Sequence, residues 1–388
     1  MKIFQYTYTF IIVFAIMNLT KVDAQSQLFD YCANSGYNKI EGLAPSKKEE
    51  IKKHEQLFFN AQTSKSAQSK IQTQLIPVKF HVIRDSNGHG GLRKSSIENA
   101  LAEVNAIFEE VYVNFYAFGG IDFIDDDSLN HLTKGNEEVL LDSYSEGTLN
   151  VYLADEVVNS SGSSICGYNL DSFSNKNIII LKNSCAVNGS SLTHEIGHFF
   201  SLVHTHGNGN GTAELVNGEN CDTTGDGICD TPADPGLSDD NVDGNCNYTG
   251  GLKDANGDFY SPDTGNVMSY SRKSCRDHFT TGQYARMYGY YLTVKDDIFE
   301  HVEVSTTTTE GLENVKIYPN PVRDGQIFIQ RDTFLNETLQ FEITNLSGQI
   351  LFQGFSTKDA INVSQLPSGS YFLTLSNAET KVTKRFIK

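Results

Sequence analysis

One segment constrains the fold of this chain more than any other: His194-Glu-Ile-Gly-His198-Phe-Phe-Ser-Leu-Val-His204. On a helix, His194 and His198 lie one turn apart on the same face, so both imidazoles can bind one metal ion. His204 follows six residues after His198, too far for one more helical turn, so the chain must bend back to deliver it. Three protein ligands with an open fourth position are typical of catalytic zinc. Zinc lowers the pKa of a water ligand to about 7, and Glu195 is placed to accept its proton.

A second interpretation of this segment is a buried amphipathic helix whose histidines are satisfied by hydrogen bonds. Its apolar residues would suit a core helix: Ile196, Phe199, Phe200, Leu202 and Val203. That interpretation leaves unexplained a second segment, Asn266-Val-Met268-Ser-Tyr270. Met268 would support the imidazoles from below with a soft, adaptable side chain, although ordinary core packing also accounts for Met268 alone. Tyr270 would project toward the metal, where its hydroxyl stabilises the oxyanion that forms on the scissile carbonyl.

The N-terminus has the composition of a secretory signal peptide. Lys2 precedes an apolar stretch at residues 10–17, and small residues around Ala24 indicate cleavage there. We therefore expect residues 1–24 to be removed and the mature protein to be exported. No later segment approaches the ~20 apolar residues that a transmembrane helix requires.

The net charge and the cysteine content indicate which partners and which redox compartment to expect. The formal net charge is −18 and no basic cluster is present, so nucleic acid is not an expected partner. Seven cysteines in an exported chain predict disulfides with one cysteine left over.

The mature chain divides into four regions. Residues 25–74 are polar and would form a poor core alone, so we interpret them as a prosegment. Residues 75–302 mix strand and helix patterns with a long Gly-, Asp- and Asn-rich stretch, and they form the predicted catalytic domain. Residues 303–312 are a predicted linker. In residues 313–388, short strands at regular spacing predict a small all-β sandwich.

Several motifs of the middle region resemble the pappalysin-like (cytophagalysin) family of metzincin zinc endopeptidases. Beside the histidine segment, they comprise Gly225-Asp-Gly-Ile-Cys-Asp-Thr-Pro-Ala-Asp234, the methionine segment and Cys275-Arg-Asp-His-Phe-Thr-Thr-Gly-Gln283. The strand segments at residues 76–83 and 149–153 are similar too, so the resemblance covers about residues 75–300. The resemblance implies an α/β catalytic domain with a twisted sheet, an active-site helix and an irregular lower subdomain that holds the Met turn. It also implies cleavage of protein or peptide substrates. The implied site residues are the zinc ligands His194, His198 and His204, the base Glu195, Met268 and the oxyanion donor Tyr270.

Ser201 departs from the family pattern. Metzincins usually have Gly at this position, because the turn after the helix is easiest in a left-handed conformation. A residue with a Cβ costs roughly 1 kcal/mol there. Serine is small, so we expect the turn to form.

The same resemblance implies disulfides in the lower subdomain. It pairs Cys221 with Cys246 and Cys229 with Cys275, which leaves Cys166 and Cys185 as a third pair around the strand at residues 178–181. Cys32 is then the odd cysteine. Its thiolate would keep the zymogen inactive by binding the zinc, as a cysteine switch, and the alternative is a free thiol lost with the prosegment.

Acidic side chains follow the histidine segment and raise the question of calcium, which prefers clustered oxygen ligands. The candidates are Asp222, Asp226, Asp230, Asp254, Asn256 and Asp258. The resemblance favours calcium near Asp226 and Asp230. The run from Asp254 starts like an EF-hand loop, but its twelfth position is Gly265 rather than Glu, so solvated loop acids explain it.

The C-terminal region resembles the sorting domain of cargo for the type IX secretion system of Bacteroidetes. The resemblance rests on Val315-Lys-Ile-Tyr-Pro-Asn-Pro321, Leu346-Ser-Gly348, Leu366-Pro-Ser-Gly-Ser-Tyr371 and the ending at residues 381–388. It implies that the type IX machinery is a partner and that the protein reaches the outer-membrane surface or the medium. A carbohydrate-binding sandwich is the alternative, and the absence of Trp from the chain disfavours it.

These observations together predict a secreted zinc metalloendopeptidase. The alternative is a catalytically inactive, metal-stabilised surface protein for binding or adhesion, which the intact Glu195 disfavours. Selection of basic residues by an acid after the Met turn is not supported, because residues 271–274 contain no acid, although Asp277 lies close.

Overall fold

The structure is a computed structural model that describes residues 39–63, 74–170, 176–187, 190–207, 213–299, 315–323, 325–330, 339–356, 360–376 and 381–388. The predicted signal peptide, Cys32 and the predicted linker lie outside the described residues. Within these ranges, no helix is both long and apolar enough to cross a membrane.

A mixed five-stranded sheet organises the catalytic region. The strands here are β1 (Gln74–Arg84), β2 (Val113–Asp125), β3 (His131–Thr133), β4 (Leu149–Ala154), β5 (Glu156–Val158), β6 (Gly167–Asn169) and β7 (Ile178–Lys182). The sheet has the order β2–β1–β4–β7–β6, and its neighbours are parallel except for the edge strand β6, which is antiparallel to β7. β3 and β5 form a separate two-stranded parallel sheet.

Helices cover one face of the large sheet. They are α1 (Pro45–Thr63), α2 (Lys94–Phe108), α3 (Asn183–Ala186), α4 (Ser191–Phe199) and α5 (Thr281–Phe299), with 3₁₀ turns at Glu109–Val111 and Glu137–Ser143. Because alternate strand residues face opposite sides, Phe80 and Val82 join the core formed with the helices, whereas Ile83 joins a second core on the other face. All of β4 is buried, as expected for a central strand with both faces covered.

Helix α1, which belongs to the predicted prosegment, packs closely on α5. Ile51 and Phe58 are buried in the main core. Glu55 accepts a hydrogen bond from Arg286 of α5 at 2.6 Å. The helices approach so closely that a Cβ on Gly289 would stand 2.7 Å from the Ile51 carbonyl oxygen. The sequence pattern had not identified α5. Because α5 provides the surface on which α1 packs, the position of α1 was not predicted either.

Residues 213–280 contain little regular structure and carry two disulfides. The Cys166–Cys185 bond forms as predicted, but the other pairs are Cys221–Cys229 and Cys246–Cys275. The predicted pairs Cys221–Cys246 and Cys229–Cys275 are therefore wrong. The chain turns at Gly225 and Gly227, both with positive φ, which brings the Cα atoms of Cys221 and Cys229 within 5.0 Å. That separation suits a disulfide, so the nearest cysteine in sequence is the partner.

The C-terminal region is all antiparallel β. Its strands are β8 (Lys316–Tyr318), β9 (Gln326–Gln330), β10 (Leu339–Thr344), β11 (Ile350–Ser356), β12 (Ala360–Asn362), β13 (Ser370–Ser376) and β14 (Lys381–Ile387). They form sheets of order β11–β10–β13–β14 and β12–β9–β8. Ile327 and Ile361 of the smaller sheet share one buried core with Ile343, Leu373 and Phe386 of the larger sheet. The predicted fold class, an α/β domain followed by a small β-sandwich, is confirmed.

Candidate active site

Three imidazoles converge at the end of helix α4. The Nε2 atoms of His194 and His198 are 3.2 Å apart, and that of His204 lies 3.3 Å from the first and 3.1 Å from the second. All three side chains are buried. In the part of the chain that the structure describes, these residues form the only group of three or more His, Cys, Asp or Glu side chains whose ligand atoms lie close together.

Backbone carbonyls orient two of the rings. The Nδ1 atom of His194 lies 2.7 Å from the Val267 carbonyl oxygen, and that of His198 lies 2.8 Å from the Leu202 oxygen. A carbonyl only accepts, so each Nδ1 carries the proton and each Nε2 presents a lone pair to the centre. Burial lowers the pKa of His194 and of His204 well below the usual value, and it lowers the pKa of His198 to about 3. The imidazoles are therefore neutral, as metal ligands must be.

The distances between these nitrogens fit zinc. Nitrogen ligands lie 2.0–2.1 Å from zinc, which places them about 3.3–3.4 Å apart in a tetrahedral site. The observed separations of 3.1–3.3 Å are close to this value. Three lone pairs directed at one point would repel each other in a dry interior, and a cation relieves that repulsion.

The turn that delivers His204 uses a strained residue. Ser201 has φ of 72°, the left-handed region, as the family resemblance implied. Its backbone N–H donates to the His198 carbonyl at 3.0 Å, and Leu202 donates to Gly197 at 3.0 Å. The Ser201 hydroxyl oxygen is buried without a hydrogen-bond partner. The chain thus reverses at once after α4 and returns His204 to the face that carries the other two ligands.

The Met turn lies beneath these rings. Met268 is fully buried, and its backbone N–H donates to the Asn266 side chain at 2.9 Å. The Met268 carbonyl accepts a hydrogen bond from Thr205 at 3.2 Å, directly after the third imidazole. Val267 already holds the His194 ring. The Met turn therefore holds the His194 ring and the residue after His204 through its backbone, while its sulfur lies against Gly197 of α4.

Two further aromatic rings, those of Tyr270 and His206, lie next to the histidine cluster. The Tyr270 ring centroid lies 4.5 Å from that of His204 and 6.3 Å from that of His194. His206, which the sequence analysis did not consider, stacks on His204 with an interplanar angle of 8° and contacts Tyr270 at 4.8 Å. Glu195 is buried on α4 beside His194. The Tyr270 ring therefore lies next to two of the three imidazoles, and Glu195 directly follows one of them on the same buried helix.

Asp226 and Asp230, the two residues predicted to bind calcium, lie in different environments. Asp230 lies at the start of α5, where its two carboxylate oxygens accept hydrogen bonds from Thr280 at 2.8 Å and Gly282 at 2.7 Å. Asp226 is buried, and burial raises its pKa to about 7. The sequence analysis did not include Glu214 among the candidate calcium residues. Burial, followed by the charges of Asp226 and Asp234, raises its pKa to about 8, and its Oε2 is buried without a hydrogen-bond partner.

The EF-hand-like run is a hairpin loop held by its own first residue. One carboxylate oxygen of Asp254 accepts the backbone N–H groups of Asn256 and Asp258, each at 2.9 Å. Its other oxygen accepts the Val216 N–H at 2.9 Å. This carboxylate therefore organises backbone turns, which agrees with the interpretation of these residues as loop acids.

Comparisons with known proteins agree with these observations. Residues 144–291 match the family model described as pregnancy-associated plasma protein-A, and residues 316–388 match that of the secretion system C-terminal sorting domain. An extracellular metalloprotease of Sordaria macrospora is 27% identical over 251 residues, 60% of this chain and 79% of the relative. One of Neurospora crassa is 27% identical over 237 residues, 56% and 74% of the two chains. A mutant of Tannerella forsythia promirolysin is similar in structure, with 19% identity, a TM-score of 0.44 and coverage of 69% and 95%. The resemblance to pappalysin-like metalloproteases is confirmed, and so is the prediction of an exported protein.

Proposed function

We propose that this metalloprotease of the pappalysin type is a zinc-dependent endopeptidase that acts outside the cell. The observation that carries the proposal is the convergence of three neutral imidazoles, His194, His198 and His204, at separations that suit tetrahedral zinc. Within the described residues the cluster contains three ligands, which is the number of protein ligands that a catalytic zinc site uses.

The residues around the cluster have distinct roles in peptide hydrolysis. Zinc, when bound, acidifies a water ligand and polarises the scissile carbonyl. Glu195 accepts the proton of the attacking water and returns it to the leaving amine, because it is the carboxylate on the same buried helix. The Tyr270 hydroxyl donates a hydrogen bond to the oxyanion, which lowers the barrier where negative charge develops.

The competing proposal, a metal-stabilised binding or adhesion protein, predicts the same histidines without turnover. Cleavage of a denatured protein by the zinc-loaded enzyme and by Glu195→Ala separates the two. We expect Glu195→Ala to lose at least about a thousandfold in kcat and to keep its zinc. Glu138→Ala, which changes an exposed glutamate, should remain active. Equal cleavage by wild type and Glu195→Ala would contradict the endopeptidase proposal.

For calcium, we propose a site at Asp226 that uses Glu214 in place of the predicted Asp230. The Glu214 Oε2 atom is buried without a hydrogen-bond partner, and the charge of Asp226 contributes to the raised pKa of Glu214, so a hard cation between the two carboxylates would stabilise both. Asp226 also accepts hydrogen bonds from Ile228 and Gln283, which orient its carboxylate. Addition of calcium to zinc-loaded enzyme that has been desalted into calcium-free buffer should raise its Tm. The increase should disappear in Glu214→Gln and persist in the exposed control Glu219→Gln. An equal increase in both variants would exclude Glu214 as a ligand.

On specificity, we propose that the enzyme does not select basic residues next to the scissile bond. Asp277 is exposed, and its carboxylate bonds His278 at 2.6 Å. Arg276, by contrast, is buried, and its charge contributes to the lowered pKa values of His194 and His204. A cleavage profile on a mixed peptide library should therefore lack enrichment of Lys and Arg, and strong enrichment would refute this inference.

For domain organisation, we propose the boundaries predicted above with one change. The signal peptide ends at residue 24, the linker spans 303–312, and the type IX sorting domain begins at 313. Lys39 donates to Asn169 of β6 at 2.9 Å and contacts the Phe199 carbonyl at the end of α4 at 3.4 Å. Together with the packing of α1, this supports a maturation cleavage upstream of Lys39, so that only the first part of residues 25–74 is removed. The cysteine switch at Cys32 stays a prediction.

A further inference from the structure

His206 and Tyr270 form an aromatic stack beside the zinc ligands. The His206 ring lies parallel to the His204 ring with centroids 5.2 Å apart. The Tyr270 ring is tilted against both, 4.5 Å from His204 and 4.8 Å from His206. The phenol ring therefore contacts a ligand imidazole and a second imidazole that is not a ligand.

Backbone contacts fix the position of His206. Gly207 has φ of 72°, and its N–H donates to the His204 carbonyl at 2.8 Å, which closes a tight turn around His206. The turn is crowded, because a Cβ on Gly207 would stand 2.8 Å from the Gly225 carbonyl oxygen. The Thr205 hydroxyl donates to Asp234 at 2.5 Å. The His206 imidazole is thus presented by a rigid turn.

The contacts that His206 makes with His204 and Tyr270 are made by its ring. Its Nδ1 atom is buried without a hydrogen-bond partner. Aromatic contacts of this kind contribute beyond their buried area. They are also directional enough to restrict a neighbouring ring, and the ring restricted here is that of Tyr270.

We infer that His206 is a positioning residue for Tyr270, holding the phenol ring against His204 so that its hydroxyl stays directed at the developing oxyanion. This inference rests on the proposed function, because it takes the oxyanion role of Tyr270 from there. His206 itself has no contact with substrate in this proposal. The inference predicts that an aromatic ring is required at this position, but that the ring need not be an imidazole. His206 should then matter for kcat much more than for KM, because the oxyanion exists only after attack.

A double-mutant cycle on the processed enzyme tests the inference. In the wild-type background, His206→Ala should lower kcat by about three- to tenfold with little change in KM. His206→Phe should restore most of the activity. Tyr270→Phe alone should lower kcat by about a hundredfold. In the Tyr270→Phe background, His206→Ala should then cause less than about a twofold further loss, because the hydroxyl that it positions is gone.

The controls separate this inference from the proposed function. Zinc content should stay at one equivalent in each variant, and the exposed control His131→Ala should match wild type. Equal losses from His206→Ala in both backgrounds, loss of zinc in His206→Ala, or failure of His206→Phe to restore activity would each overturn the positioning role. An active Glu195→Ala variant would instead overturn the proposed function, whatever the cycle gives.

Discussion

Gly197 of the active-site helix lies directly against Met268 of the Met turn, so that a Cβ built on Gly197 would stand 2.5 Å from the Met268 sulfur. Phe279 closes the same contact at 3.4 Å. The glycine between the two histidine ligands is therefore the point at which the helix rests on the lower subdomain.

We expect Gly197→Ala to destabilise the enzyme although alanine favours helix by about 1 kcal/mol. Met268 is fully buried, so it must repack at a cost of about 1–3 kcal/mol. Chemical denaturation should show a net loss of about 1 kcal/mol. Met268→Ala removes the sulfur, and the double variant should lose less than the sum of the two single variants. Additive losses would mean that the two residues do not share one contact.

Ser201 offers a stabilising substitution. Ser201→Gly relieves the left-handed φ and removes a buried hydroxyl without a partner, against the extra backbone entropy of glycine in the unfolded chain. We expect a gain of about 1 kcal/mol in the free energy of unfolding. Ser201→Ala is the matched control, because it removes the hydroxyl and keeps the strained φ. If alanine stabilises as much as glycine, the hydroxyl rather than the backbone is the source of strain.

His278 gives the Met turn a dependence on pH. Burial lowers its pKa, but hydrogen bonds and charges from Asp277 and Asp263 outweigh this and raise the pKa above its usual 6.5. Because the folded pKa is the higher one, the stabilisation is complete below about pH 6.5 and is lost as pH rises through the folded pKa. The difference in Tm between wild type and His278→Asn should therefore shrink from pH 6 to pH 9. A difference that is constant over this range would contradict the assignment.

The disulfide pairing can be tested directly. Peptide mapping by mass spectrometry without reduction should give cross-linked peptides for Cys221–Cys229 and Cys246–Cys275. Recovery of Cys221 joined to Cys246 would instead favour the pairing implied by family resemblance.

Helix α1 should remain in the mature enzyme. Phe58 is 1% exposed and its neighbour Phe59 is 40% exposed, which makes the two a matched pair. Phe58→Ala should cost about 3–5 kcal/mol of stability in the processed protein, whereas Phe59→Ala should cost little. The N-terminus of the secreted protein should lie before Lys39. A mature N-terminus near residue 74 would show that α1 is discarded.

The sequence by itself determined the parts of the site that depend on local geometry. Helical periodicity places His194 and His198 on one face of a helix, and the family resemblance implies the left-handed turn at Ser201. The alternating pattern of residues 76–83 predicts a half-buried strand, whereas the structure buries both of its faces. Tertiary structure decided what depends on competition between distant groups. Cys221 is bonded to Cys229 because the turn at Gly225 and Gly227 brings these two residues together. Asp230 binds the N-terminal end of α5, a helix that the sequence pattern had not revealed. His206 and Tyr270 lie in two segments that are far apart in the sequence. Local residue spacing therefore could not predict their contact.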